Sequence, residues 1–307
     1  MASVTDGDIR RALLSGSGLE GPAEAAFHTN VVALKDGSDS GPAIGENSSR
    51  DIADYPVVDR SGRLICVETE RTDNSRPDRT NTVVIMAGGK GLRLRPLTQD
   101  TPKPLLLVGG KPILQRIVEN LREDGFSDIV IAVNYLGDQI QDFFADGRDF
   151  GVRIRYVEEE IPLGTAGALS LLQQPIVFPL VVMNGDLISA ASVGNMVEHH
   201  VKEGADITVG AKVVETTVPF GVLHTDGPVI EAIEEKPTRK DLVNAGVYVM
   251  SGQAIEGLHA SRPTDMPDLI VQNLASRKVL AFPLHEDWLD LGRPDDLRKA
   301  RANTQEN

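Results

Sequence analysis

The richest chemistry in the chain lies in a glycine-rich segment followed closely by arginines. The run Ala87-Gly-Gly-Lys-Gly-Leu-Arg-Leu-Arg-Pro-Leu-Thr sets Gly88, Gly89 and Gly91 beside Arg93 and Arg95. Glycines let backbone N–H groups come close to phosphate oxygens, and arginine adds positive charge. Lys103, held between Pro102 and Pro104, contributes a further cation on a stiff segment. Glycines alone would be accounted for by a turn with solvent-facing cations. Together with Arg93 and Pro-Lys-Pro at this spacing they read as a phosphate site. A dinucleotide-binding fingerprint would need glycine where Leu94 stands, and a P-loop would need Gly-Lys-Ser/Thr, so neither rival fits.

Four further segments carry polar groups at useful places. Leu163-Gly-Thr-Ala-Gly-Ala-Leu opens a predicted helix, where Gly164 and Thr165 allow a base or ribose to approach; Thr165 would equally serve as an N-cap. Val182-Met-Asn-Gly-Asp ends on Asp186, a carboxylate after an apolar run and a hard oxygen ligand suited to Mg²⁺, although a turn aspartate is common after Asn-Gly. Trp288-Leu-Asp-Leu-Gly-Arg-Pro carries Asp290, and Ile233-Glu-Glu-Lys-Pro is followed by Val243-Asn-Ala-Gly. Taken alone, Glu-Glu-Lys-Pro is a charged surface turn. The histidines do not cluster, and His199 and His200 fall between polar residues on a predicted helix, where solvation is expected.

The elements that must position these residues follow from periodicity. Residues 82–87, 128–133, 152–157 and 176–183 read as strands, and 112–124, 136–145 and 165–172 as helices. In the first helix Ile113, Leu114, Ile117, Val118 and Leu121 share one face. Strands alternating with helices predict an α/β fold, a Rossmann-like, mostly parallel sheet flanked by helices. Ligands of such sheets bind beyond the carboxyl ends of the strands, which is where every motif above falls.

With these segments in this order, the chain from Asn81 to about Ala302 resembles the sugar-1-phosphate nucleotidylyltransferase family, whose glycine loop, Arg, Pro-Leu-Thr and Pro-Lys-Pro are present without gaps. The resemblance implies that an NTP and a sugar 1-phosphate give an NDP-sugar and pyrophosphate. It implies that Arg93 stabilises the triphosphate and that Lys103 contacts phosphates. Gly164 would meet the base, Asp290 would complete a Mg²⁺ site with Asp186, Lys236 would hold the sugar phosphate, Glu235 and Asn244 would bond sugar hydroxyls, and Gly221 would lie close to the sugar. The residue that reads the base edge corresponds to Glu159, with Glu158 or Glu160 as alternatives if the spacing slips by one. A carboxylate only accepts hydrogen bonds, which suits the adjacent N1–H and N2–H₂ donors of guanine and favours GTP over UTP or dTTP. Chains of this kind are similar to the sugar-1-phosphate guanylyltransferases of bacterial surface-glycan pathways, with glucosamine 1-phosphate or mannose 1-phosphate as the acceptor. A catalytically silent nucleotide-sugar-binding regulator is the other expectation carried forward.

The amino-terminal part reads differently. A helix is predicted over residues 6–14, a glycine- and serine-rich stretch over 37–49, two strands around an Asp59-Arg-Ser-Gly turn within 55–67, and a linker over 73–80 between domains 1–72 and 81–307. Thr5 and Asp8, with Pro56 to Val67, resemble parts of a CBS (cystathionine β-synthase) module, implying a small truncated α+β domain, an adenine nucleotide as a ligand, and pairing into a homo-oligomer. The formal charge of −14 argues against nucleic-acid and acidic-membrane partners, which require a basic face. The single cysteine, Cys66, cannot form an internal disulfide and is expected to be a buried small hydrophobe. The start of the chain has no apolar signal core, and a cytoplasmic enzyme is the expectation.

Overall fold

The structure, a computed structural model, describes residues 2–18, 21–29, 31, 33–35, 54–69 and 78–303. The chain divides into two units, Met1–Arg76 and Pro77–Asn307. In the first, helix α1 (Asp6–Leu14) begins at an N-cap on Thr5. Thr5 Oγ1 accepts from the Asp8 N–H at 3.3 Å, and the Asp8 carboxylate accepts from the Thr5 N–H at 2.9 Å. This reciprocal capping box accounts locally for both members of the Thr-x-x-Asp pair. Burial opposes charge on Asp8, but the Thr5 hydrogen bonds and the Arg11 guanidinium outweigh it and hold the carboxyl below its usual range. Strands β1 (Leu34–Lys35), β2 (Asp54–Val58) and β3 (Leu64–Thr69) form a three-stranded sheet in that order, with β1 parallel to β2 and β2 antiparallel to β3. Asp59 Oδ1 closes the β2–β3 turn by accepting from the N–H groups of Ser61 and Arg63. Cys66, expected to be buried, is exposed. It lies on the edge strand β3, where Leu64, Ile65 and Val67 are also exposed. Residues 37–49 and 73–77 lie outside the described residues.

The second unit opens with β4 (Arg79–Met86), two residues before the expected domain start at Asn81, because Arg79 is anchored. Its N–H donates to Gly125 O at 2.9 Å and its guanidinium to Asp124 O and Glu198. Then follow β5 (Leu107–Val108), β6 (Lys111–Pro112), α2 (Ile113–Glu123), β7 (Phe126–Val133), α3 (Gly137–Phe144), β8 (Arg153–Glu158), the single turn α4 (Gly164–Gly167), β9 (Leu180–Asn184), β10 (Leu187–Ser189) and α5 (Val193–Glu203). The remaining elements are β11 (Ile207–Thr217), β12 (Gly221–Asp226), β13 (Val229–Glu235), β14 (Thr238–Met250), α6 (Met266–Leu274), β15 (Val279–Leu284), β16 (Trp288–Asp290) and α7 (Pro294–Asn303). Among the described residues no helix is long and apolar enough to cross a membrane.

The central sheet has seven strands in the order β15-β11-β14-β9-β4-β7-β8. Strands β9, β4, β7 and β8 are mutually parallel, as are β15 and β11, whereas β14 runs antiparallel to both of its neighbours. The sheet is α/β and mostly parallel, as expected. Helix α2 buries the five apolar residues that its periodicity predicts, each contributing about 1.5–3 kcal/mol relative to exposure. Three expectations are corrected. Residues 165–172 do not form one helix: α4 gives way to a 3-10 turn (Ala168–Leu171), and the first-turn N–H groups of Ala166 and Gly167, which have no acceptor within a helix, donate to Thr264 O, far away in sequence. His200 is not solvated but 4% exposed, with Nδ1 2.9 Å from Thr208 Oγ1, and burial pushes its imidazole down to about 4. The strand expected over 176–183 starts only at Leu180, after Pro179, which has no N–H to donate to a ladder.

The amino ends of β4, β7 and β8 are locked by one buried carboxylate. Thr82, Asp128 and Arg153 sit side by side in register. Asp128 accepts from Thr82 Oγ1 at 2.9 Å and from the guanidiniums of Arg153 and Arg155, each at 3.0 Å. Removing that carboxylate would leave Arg155 partly buried without its charge partner. Asp128→Ala is therefore expected to destabilise this unit by about 2 kcal/mol, the cost of an uncompensated buried pair discounted for the exposure of Arg153. Urea unfolding followed by the fluorescence of the single tryptophan, Trp288, measures it; an unchanged midpoint would show that the cluster contributes nothing.

Candidate active site

The carboxyl ends of the parallel strands open onto one cleft of about 520 Å³. Register brings them together: Met86 pairs with Ala132 and with Asn184, and Val133 with Glu158. The residues that follow each strand, Ala87, Asn134, Glu159 and Gly185, all line the cleft.

Backbone geometry sets the shape of the glycine loop. Gly91 has φ +58°, and a Cβ there would lie 2.9 Å from Thr98 Cγ2, so this close left-handed turn requires glycine. Thr98 is fully buried, and its hydroxyl donates to Gly91 O at 2.8 Å. Tyr135 Oη and Gln139 Nε2 donate to Gln99 O and Asp100 O, fastening the loop to the β7–α3 connection. The effect is to present Arg93, exposed on a 3-10 turn (Leu92–Leu94), to the cleft together with Gly88 and Gly89.

Lys103 comes from the 3-10 turn Lys103–Leu105 and makes an ion pair with Asp186. Residue patterns alone give Asp186 no partner, and the family resemblance names Asp290 as its partner. Short strands β10 and β16 supply it: Leu187 pairs with Asp290, and Leu291 N–H donates to Asp186 O at 3.2 Å. Trp288 Nε1 donates to Ala245 O at 3.0 Å and pins β16 against β14. The two carboxylates thus face the same space. Crowding by the surrounding protein pushes the Asp290 carboxyl above its usual range, the Asp186 charge adds to this, and Lys103 opposes it. Two facing acidic oxygen donors, one held above its usual range by burial and by the other's charge, fit a hard divalent cation.

The base-side residues also converge. Asn134 Nδ2 donates to Glu159 O at 2.5 Å, and Glu159 Oε2 accepts from the Leu163 N–H at 2.8 Å. The other carboxylate oxygen faces Gly88, where a Cβ would come within 3.1 Å of it. Burial pushes the Glu159 carboxyl up, and the Leu163 N–H partly offsets this. Gly164 and Thr165 line the cleft beside it.

The residues assigned to the sugar phosphate are placed differently. Gly221 and Glu235 pair across the exposed β12–β13 hairpin, Lys236 follows it with φ +48°, and none of them lines the cleft. Asn244, on β14, does not line it either, but its Oδ1 accepts from the Gly246 N–H at 2.9 Å, and Gly246 packs against the cleft residue Asn184. The structure therefore brings together the residues expected to meet phosphate, metal and base, and leaves those expected to meet the sugar on or beside β12, β13 and β14, outside the cleft lining. Sequence reasoning missed Asn134 and Asn184. Asn134 and Asn184 each directly follow a predicted strand, close to the strand-end position that singled out Asp186, and that signal could have found them.

A family profile described as nucleotidyl transferase matches residues 82–307. The chain is 36% identical over 223 residues to a mannose-1-phosphate guanyltransferase of Yarrowia lipolytica, covering 70% of this chain and 61% of that protein. It is 30% identical over 229 residues to the mannose-1-phosphate guanylyltransferase of Mycobacterium tuberculosis, covering 72% and 63%. The chain thus spans about three fifths of the length of these curated relatives. Among solved structures, HddC from Yersinia pseudotuberculosis matches with a TM-score of 0.59 at 28% identity, covering 73% of this chain and 99% of that one. The same protein complexed with GMP-PN matches with a TM-score of 0.58 at 27% identity, covering 73% and 99%. The matched span contains every residue of the cleft, and the chain belongs to the nucleotidyl transferase family.

Proposed function

We propose that this chain transfers a guanylyl group from GTP to a sugar 1-phosphate, releasing pyrophosphate and a GDP-sugar. The observation that carries this reading is the meeting of a glycine loop, two cations and two carboxylates, Arg93, Lys103, Asp186 and Asp290, around one cleft. A phosphate oxygen of the sugar 1-phosphate attacks the α-phosphorus of the nucleotide, the bond to the β-phosphate oxygen breaks, and pyrophosphate leaves with the electron pair. No protein atom need become covalently attached, so positioning and charge neutralisation supply the catalysis. Arg93 and the glycine-loop N–H groups bind the triphosphate and meet the charge that develops on it. Lys103 contacts phosphate and holds Asp186 in place. Asp186 and Asp290 would hold a divalent cation, Mg²⁺ by the hardness of the donors, which when bound neutralises phosphate charge. Lys236, Glu235, Asn244 and Gly221 are assigned to the sugar phosphate by family position. Mannose 1-phosphate is the favoured acceptor, supported by the activity named for the curated relatives, with glucosamine 1-phosphate next.

Glu159 carries the choice of base. Its free oxygen beside Gly88 is an acceptor for guanine N–H donors, and the GMP-PN complex of HddC is consistent with a guanine nucleotide. In the amino-terminal unit the capping box favours a structural role for Thr5 and Asp8 over contact with an adenine nucleotide. A thermal-shift titration with AMP and ATP is expected to leave Tm unchanged, and a saturable rise overturns that reading.

Three measurements test the activity. Pyrophosphate release from GTP, UTP, dTTP and ATP with mannose 1-phosphate and Mg²⁺ should show a clear preference for GTP; a preference for UTP would sink the role given to Glu159. In the same assay KM for GTP should climb on acidification, starting above the pH at which an ordinary glutamate protonates. The raised Glu159 carboxyl takes up its proton early, and the protonated form loses an acceptor. Arg93→Ala should lower kcat by about 10² to 10³, as for other single donors to a developing charge, and unchanged turnover would refute its role.

A further inference from the structure

Helix α6 begins in an unusual way. Asp265 stands at its N-cap, a position where an aspartate ordinarily accepts from the N–H groups of its own first turn. Here it makes no such bond. Its Oδ1 accepts instead from the Thr165 N–H at 3.0 Å and lies 3.4 Å from the Thr165 hydroxyl, 100 residues away in sequence. Thr165 returns the interaction: its Oγ1 accepts from the Met266 N–H at 2.8 Å, capping α6 in place of Asp265. Each segment caps the other.

The neighbouring backbone completes the lock. Thr264 O accepts from the N–H groups of Ala166 and Gly167, each at 3.0 Å, and the Thr264 N–H donates to Leu163 O at 2.7 Å. Gly164 has φ +80°, and a Cβ there would lie 2.6 Å from Thr264 O and 2.7 Å from Asp265 Oδ1, so the two segments touch where only glycine fits. On the cleft side, the Leu163 N–H is held by Glu159. Residues 163–167 are therefore tied to the base-side carboxylate at one end and to residues 264–266 along the rest.

We infer that Asp265 is a positioning residue for nucleotide binding, holding the 163–167 segment in the conformation that presents Glu159, Gly164 and Thr165 to the base. This rests on the reading of that segment as the base-side wall given above. The side chain of Asp265 lines no part of the cleft, so it acts through Thr165. It is exposed and does not cap its own helix, so its replacement leaves the core intact.

The test compares wild type, Asp265→Ala and Asp265→Asn by amide hydrogen exchange over 163–167, by steady-state kinetics and by direct GTP binding. Asp265→Ala should speed exchange of the Thr165 amide and raise KM and Kd for GTP about tenfold, the weight of one charge-assisted hydrogen bond. KM for mannose 1-phosphate, kcat at saturation and Tm should stay close to wild type. Asp265→Asn keeps an Oδ1 acceptor for the Thr165 N–H and should recover most of both effects. Unchanged exchange in Asp265→Ala overturns the clamp. Faster exchange with unchanged GTP affinity overturns its role in binding, as does an equal loss in kcat and in the KM of both substrates. Failure of the guanylyl-transfer reading looks different: wild type would then release no pyrophosphate from GTP, while exchange and nucleotide binding still decide the role of Asp265.

Discussion

The cleft depends on one constraint, the common register of four parallel strands. A parallel strand cannot be joined to its neighbour by a tight turn, so the chain must leave each carboxyl end, cross a face of the sheet and re-enter at the amino end. Because β9, β4, β7 and β8 obey this rule and Met86 sits level with Ala132 and Asn184, the segments leaving these strands emerge at one edge. The glycine loop, Asn134, Glu159 and Asp186 become neighbours without any long excursion of the chain. At the other edge the Thr82–Asp128–Arg153–Arg155 cluster fastens β4, β7 and β8, so the polar groups that stabilise the sheet and those that line the cleft occupy opposite ends of the same strands.

The charge inside the cleft is organised locally against a chain whose net charge is −14. Asp186 and Asp290 are brought face to face by a short two-stranded ladder, and burial together with the Asp186 charge disfavours ionisation of Asp290. Lys103 relieves part of that repulsion through its pair with Asp186. The cleft is lined by three basic side chains, Lys90, Arg93 and Lys103, and three carboxylates, Glu159, Asp186 and Asp290.

Rigidity on the base side has a different origin. The segment after Glu159 has too little regular structure of its own to hold a shape, since its helix lasts one turn before tightening. Its backbone donors at Thr165, Ala166 and Gly167 are satisfied by Thr264 and Asp265 instead, and it accepts in turn from the N–H groups of Thr264 and Met266. An unpaired backbone group at such a place would cost about 1–3 kcal/mol, and the reciprocal bonds remove that cost from both segments at once.

Much of this was legible in the residues themselves. The apolar stripe of α2, the span of α1, the turn at Asp59 and the glycine–arginine loop rest on interactions within a few positions along the chain, and short-range patterns of burial and charge report such interactions directly. The meeting of Asp186 with Asp290, the burial of His200 against Thr208, the exposure of Cys66 and the exchange of caps between Thr165 and Asp265 were decided only by the tertiary structure. Each depends on which distant segment a residue lands beside. Strand register and packing fix that neighbour, and the local pattern of side chains carries no record of it.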